Sequence, residues 1–352
     1  MKRNANVELL RAASVLSVMW YHFSEMSGKG MSHSLVSPVL LMGGELGVTM
    51  MFVISGFGIY MLLEGKDYSY GAFVKSRFRK LAPEYYLCIG ILLLLTDQAV
   101  YLDVIHIPNL LTHALFLHSL IPSHSAAISG VLWTLGVSMQ FYLLAYWIYK
   151  LQKKSVLFSL ALMGLSMLIK FWVFHFWLPG KGIESGHAYF VYGRQIYTAL
   201  DNFIMGMLAA QLVRRGKLPR EKLALVLGLV TAGLLLVWMR RGIASLYQDT
   251  LLSHIWHILC ATLCAALIYF ACALRELKGI FVKPFHFVAK YSYGMYLWHH
   301  VITYTILENC GWTSSMRYVV LACILTAVSC GAGYVSARLG KALQPKAPAK
   351  IG

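Results

Sequence analysis

Charge is scarce in this chain. Only 13% of its 352 residues are Asp, Glu, Lys or Arg, against 59% hydrophobic, and the mean hydropathy is +0.64. That balance excludes a soluble globular enzyme and places the sequence in the membrane class. No hydrophilic stretch is long enough to bury a core of its own, so a separate soluble domain is not expected, and there is no internal repeat. Cysteine offers no framework either: there are seven, none in a C-x-x-C pair, and the odd count implies no disulfide pattern. Six of them (Cys88, Cys260, Cys264, Cys272, Cys323, Cys330) fall in apolar stretches and read as small core residues. A cleavable leader is missing as well. Met1-Lys2-Arg3 runs straight into an apolar segment without a small-residue cleavage site, so that segment is expected to stay in the protein.

What is present is a series of apolar runs of about 20 residues, the length that crosses a bilayer as a helix. Ten are expected, near 7–25, 43–63, 82–100, 131–149, 155–177, 196–213, 222–239, 252–273, 287–307 and 317–340. The predicted fold is therefore all-α, a polytopic integral membrane domain over residues 1–343, followed by a cytoplasmic tail, 344–352, expected to be disordered. The loop 101–130 holds His106, His113, His118 and His124 but no Lys or Arg, and its Leu-rich middle is too short to span. It reads as a re-entrant or interfacial element over the outer mouth of the protein.

Orientation follows from the basic residues, since loops rich in Lys and Arg stay in the cytoplasm. Of the 31, 23 fall on the side of the N-terminus. Six (Lys29, Lys181, Arg194, Arg240, Arg241, Arg317) fall on the other, and Arg11 and Lys170 lie within spans. Both termini are thus expected in the cytoplasm, with the chain in the inner or plasma membrane. The net charge of +17 reflects topology, and no nucleic-acid partner is expected. A basic inner face also attracts anionic lipid and anionic metabolites.

Ionisable groups at bilayer depth point to function, and the first span has two, Arg11 and His22. Eleven residues make about three helical turns, which puts both on nearly one face and roughly 16 Å apart along the axis. A cation near one end and an imidazole towards the other suit a long, phosphate-headed substrate lying along the helix. Glu25, one turn beyond His22, is placed to hydrogen-bond its imidazole. Glu84 and Asp201 are further membrane-depth carboxylates with no partner evident from sequence. His254 and His257 share a helical face at i, i+3, but no third ligand stands at a suitable spacing, so no metal is expected.

Five local patterns occur in order along the chain: Glu8-Leu-Leu-Arg11 with His22 in an R-x10-H spacing; Gly47 to Phe57, ending Ser55-Gly56-Phe57; Arg77-Phe-Arg-Lys80 before Pro83; Trp133 to Phe141-Tyr142; and Tyr296-Leu-Trp298-His299. Together these resemble the membrane acyltransferase-3 family, the acyl-CoA-dependent O-acyltransferases of bacterial surface glycans, antibiotics and some lipids. The resemblance covers the whole chain and implies ten spans, acyl-CoA (acetyl-CoA foremost) as donor substrate, and a glycan or glycolipid acceptor in a membrane lipid setting.

The resemblance implies that His22 acts in acyl transfer. An imidazole, with its unperturbed pKa near 6.5, suits a general base that activates a hydroxyl. Arg11 matches the family arginine, in reach of coenzyme A phosphates or pantetheine. Arg77 and Lys80 align with the family R-x-x-R, where lysine keeps the charge but lacks the planar fork that grips phosphate; they serve equally as positive-inside anchors. Ser55 permits close helix approach and a hydroxyl bond between helices, and Thr49 stands where relatives often carry Asp. His299 matches a family histidine near the outer end of the ninth span, at the acceptor entrance or as an interface anchor. The largest departure lies between Trp133 and Tyr142, where many relatives have Ser-x-Glu and this chain has Gly136-Val137-Ser138.

The function expected from sequence is transfer of an acyl group, acetyl foremost, from cytoplasmic acyl-CoA to a hydroxyl of a cell-surface glycan or lipid-linked sugar. The outer loops, with Trp177, Tyr189 and Tyr192, are where sugar contact is expected. The competing expectation is a non-catalytic glycan or lipid exporter, or a scaffold of a polysaccharide-assembly complex. It draws on the same ten spans and on the missing Ser-x-Glu carboxylate.

Overall fold

The computed structural model describes residues 4–26, 37–95, 107–182, 191–216, 218–245, 250–310 and 315–343. Lys29, His106, Tyr189 and the 344–352 tail lie outside the described residues.

Over the described residues each expected span falls on a long helix, the 96–100 end of the third lying outside them: α1 (Ala5–Met26), α2 (Ser37–Glu64), α3 (Tyr70–Leu95), α5 (Trp133–Lys154), α6 (Val156–Trp172), α7 (Ile196–Arg214), α8 (Glu221–Ser245), α9 (Thr250–Ala273), α10 (Lys283–Cys310) and α11 (Ser315–Ala342). A short helix, α4 (Ile107–Ala114), precedes α5, and a π-helical turn, Val173–Trp177, extends α6. Among the described residues there is no strand.

Among the described residues, six segments are long and apolar enough to cross a membrane: Leu41–Glu64, Val156–Lys181, Ile196–Arg214, Glu221–Gly242, His254–Ala273 and Val320–Ala342. The other four long helices, α1, α3, α5 and α10, run 22 to 28 residues. At 1.5 Å per residue that is about 33 to 42 Å, enough to traverse a hydrocarbon layer of about 30 Å. They are more polar than the other six, and they are the helices that carry His22, Arg77, Trp133 and His299.

The helices sort by what they face. α2 and α7 are central, with 67% and 61% of their apolar windows buried inside the protein. α6 and α8 are peripheral at 22% each, and their outward Leu157, Leu168, Leu229 and Val237 are exposed, as lipid-facing positions should be. α1 packs between α2 and α10, and α2 also meets α7, α8 and α9. Two glycines let α2 and α7 touch backbone to backbone. A Cβ on Gly56 would collide with the Phe203 carbonyl, and one on Gly206 with the Val53 carbonyl, the close approach expected of small residues between membrane helices.

Two expectations are corrected. The third helix starts at Tyr70, twelve residues ahead of the expected span 82–100, and runs through Pro83. Pro83 removes a single backbone donor, so Arg77 and Lys80 sit on a helix and not in a loop. Arg194, counted from sequence among loop charges on the outer side, is buried, because an acidic side chain of α2 meets it inside the bundle.

The segment after α4 folds back onto the bundle. Tyr85 Oη donates to the His113 carbonyl at 3.0 Å, and Gln140 Nε2 donates to the Phe116 carbonyl and to Ser119 Oγ, both at 2.9 Å. His113 and His118 stack at 4.1 Å, fully buried. Burial lowers the pKa of His113 and, with the neighbouring His113 adding to it, pushes His118 down to about 3.

Candidate active site

α1 is unbroken from Ala5 to Met26, so Arg11 and His22 keep the roughly 16 Å separation that helical geometry sets. Arg11 is half-buried and pairs with Glu8 one turn away, Nη2 to Oε1 3.6 Å. At the far end His22 Nδ1 lies 3.4 Å from Glu25 Oε2. A carboxylate only accepts, so in the neutral imidazole this contact puts the proton on Nδ1 and the lone pair on Nε2.

Two further imidazoles close on His22. The rings of His299 and His300, both on α10, lie 5.3 Å from it, centre to centre. His299 Nδ1 donates to the Tyr296 carbonyl at 2.7 Å, and its Nε2 is buried without a hydrogen-bond partner. Tyr296 in turn ties α10 to the start of α5. Its hydroxyl receives a hydrogen bond from Thr134 Oγ1 at 3.0 Å and donates to the Val131 carbonyl at 3.2 Å. The result is a cluster of three histidines and one carboxylate at one end of α1, next to the helix end that carries Trp133.

The remaining sequence candidates distribute as follows. Ser55 Oγ and Tyr142 Oη meet at 3.1 Å, joining α2 to α5. Trp133 packs edge-on against Phe52, which stacks on Phe203. Arg77 is half-buried, its Nε donating to Ser76 Oγ at 3.2 Å, and Lys80 is exposed. Both stand on α3, which packs on α5, α10 and α11, whereas Arg11 is on α1. Ser138 is half-buried; the polar neighbours of His22 are Glu25, His299 and His300 instead. Trp177 and Tyr192 pack on each other at 4.9 Å.

Gly136 has a plain steric cause. A Cβ there would stand 2.7 Å from Ser119 Oγ and 3.1 Å from His118 Cε1, so the segment that folds over α5 leaves room only for glycine.

Sequence reasoning missed a buried array on the other side of Trp133. Glu45 of α2 forms an ion pair with Arg194, and its second oxygen lies 3.1 Å from His257 Nε2 of α9. His257 Nδ1 faces Lys170 Nζ of α6 at 3.4 Å. Asp201, read from sequence as lacking a partner, is buried within electrostatic reach of Lys170. The available signal was the presence of Glu45, Lys170 and Asp201 inside apolar spans; their pairing across helices has no local pattern. His254 and His257 do not act together, since His254 faces Phe171 and His175. Among the described residues, no group of three or more His, Cys, Asp or Glu is disposed to hold a metal ion.

A helical membrane bundle with an arginine and a carboxylate-held histidine on one helix fits a class of integral membrane acyltransferases. The chain matches the acyltransferase domain of the acyltransferase-3 family over residues 4–337 and belongs to that family. It is similar to the peptidoglycan O-acetyltransferase OatA of Listeria monocytogenes serovar 1/2a, 24% identical over 327 residues, which is 85% of this chain and 49% of the relative. The chain thus spans about half the length of the curated relative it matches. No solved structure matches it significantly.

Proposed function

We propose that this protein is a membrane O-acyltransferase that takes an acyl group, acetyl foremost, from acyl-CoA at the cytoplasmic face and places it on a hydroxyl of a cell-surface glycan at the outer face. The single observation that carries the reading is the arrangement on α1: Arg11 at one end, and roughly three turns on the Glu25–His22 pair with His299 and His300 around it. The relative's action on peptidoglycan supports a cell-wall glycan as acceptor.

In this reading Arg11 holds the phosphate or pantetheine part of the donor, with Arg77 and Lys80 as further cations on the same side. The thioester then reaches His22 while the nucleotide stays outside the hydrocarbon layer. His22 Nε2 takes the proton of the acceptor hydroxyl as its oxygen attacks the thioester carbonyl. The C–S bond breaks as the intermediate collapses, and the proton passes from His22 to the leaving thiolate. Glu25 holds Nδ1 and offsets the positive charge on the ring, which fixes both tautomer and orientation.

The test is a sided assay. Protein in lipid vesicles receives labelled acetyl-CoA on one face and cell-wall glycan fragments on the other. Free thiol on the donor side and labelled ester on the acceptor side are expected. No thiol on either side, with no binding of acetyl-CoA, would move the chain to the exporter or scaffold reading.

A further inference from the structure

Arg194 is the residue that the transferase reading leaves without a task. A guanidinium stays charged at every accessible pH, and taking it out of water costs several kcal/mol unless it is paired. Arg194 precedes α7, yet its side chain is 9% exposed, bonded to Glu45 and 5.1 Å above the centre of the Trp133 ring. Behind it His257 of α9 bonds the second Glu45 oxygen, so α2 and α9 together hold one guanidinium in one place. That exceeds what helix packing requires, since apolar side chains would fill the same volume at less desolvation cost.

The array borders a space. One crevice is lined by Glu45, Thr49, Trp133, Arg194, Asn202 and His257. A second shares Trp133 and Arg194 and adds Ser119, Ser125 and Gln195. Each is narrow, with room for about one water-sized group between its walls. The lining states what fits. Arg194 and Glu45 side by side repel a full charge of either sign but serve a hydroxyl, which both donates and accepts. Thr49, Ser119, Ser125, Asn202 and Gln195 add neutral hydrogen-bonding groups. The crevice is linked to the histidine cluster through the neighbour of Trp133, Thr134, which donates to Tyr296 Oη. Arg194 is within electrostatic reach of Tyr21 and Tyr296, whose rings lie 5.0 Å from His22 and 5.4 Å from His299.

We propose that the crevice bordered by Trp133 and Arg194 is the acceptor subsite, which takes an uncharged, hydroxyl-bearing arm of a carbohydrate unit and steers it towards His22. The proposal rests on the transferase reading. Glu45 and His257 are positioning residues in it, acting through Arg194.

The experiment measures acceptor and donor KM separately, with acetyl-CoA as donor, muramidase-released cell-wall glycan fragments as acceptor, and free thiol as readout, on the full chain in lipid. Arg194→Met with Glu45→Gln removes both charges together, so no orphan charge is buried, and keeps a partner for His257. The expected result is an acceptor KM raised tenfold or more with the donor KM within twofold. Arg194→Lys should raise acceptor KM as well, because the planar fork is lost. Wild-type acceptor KM in the double variant would overturn the proposal and reduce the array to packing. If the double variant does not fold, the isosteric Thr49→Val carries the test: acceptor KM raised threefold supports the subsite, and an unchanged value overturns it. Thiol release that never rises with glycan fragments overturns the acceptor class alone. No thiol release by wild type overturns the transferase reading and the subsite with it.

Discussion

Replacing Gly136 with alanine puts one methyl group where the folded-back segment presses on α5. The new Cβ would stand 2.7 Å from Ser119 Oγ and 3.1 Å from both Ser119 Cβ and His118 Cε1, so rotating one hydroxyl is not enough to relieve it. Neither neighbour is free to move. Ser119 Oγ receives Gln140 Nε2, and His118 donates from Nε2 to the Leu132 carbonyl at 3.0 Å. Overpacking of this kind costs about 1–3 kcal/mol, and a buried hydrogen bond broken on one side about 1–3 kcal/mol more. The gain from replacing a helical glycine offsets roughly 0.5–1 kcal/mol. The net expectation is a loss of about 1–5 kcal/mol, read as a lower thermal midpoint of purified protein in detergent. Adding Ser119→Gly removes two of the three contacts, and the double variant should regain part of that loss. A Gly136→Ala protein as stable as wild type would refute the packing of this segment onto α5.

Two further outcomes follow from the same packing. His118, held down at about 3 by burial, is neutral when folded, whereas an unfolded histidine titrates near 6.5. The unfolded state therefore binds more protons below that value, and stability falls as pH drops from about 6.5 towards 3; at pH 5 the loss is about 2 kcal/mol. The thermal midpoint at pH 5 relative to pH 7 should drop less in His118→Gln than in wild type, and an equal drop would contradict it. At the α2–α7 crossing, Gly206→Ala meets backbone and not side chain, so the helices must separate. Loss of the folded-protein peak on size-exclusion chromatography is expected, and a normal yield would show that the crossing is looser than described.

The helices were legible because crossing a bilayer demands a long apolar run, a signal that survives without any knowledge of packing. The start of α3 was not, since proline usually marks a helix beginning and here sits inside one. Glu25 beside His22 could be read from an i, i+3 spacing on one helix. Arg194 could not: a basic residue between spans looks like any loop charge until Glu45, 149 positions away, is placed against it. The same holds for Lys170 and His257, which are joined only by helix packing. Gly136 read as a loss relative to relatives; the structure gives it a steric reason in a segment whose fold has no periodic signature.

The measurement that bears most directly on the acyl-transfer account is the rate of acceptor-dependent thiol release by His22→Ala beside wild type, with acetyl-CoA saturating and the same folded yield. Removing a general base costs about 10²–10⁴ in rate, so the account predicts a fall of at least a hundredfold in His22→Ala, with acetyl-CoA still bound. A His22→Ala protein that transfers acetyl groups within a few-fold of wild type would contradict it.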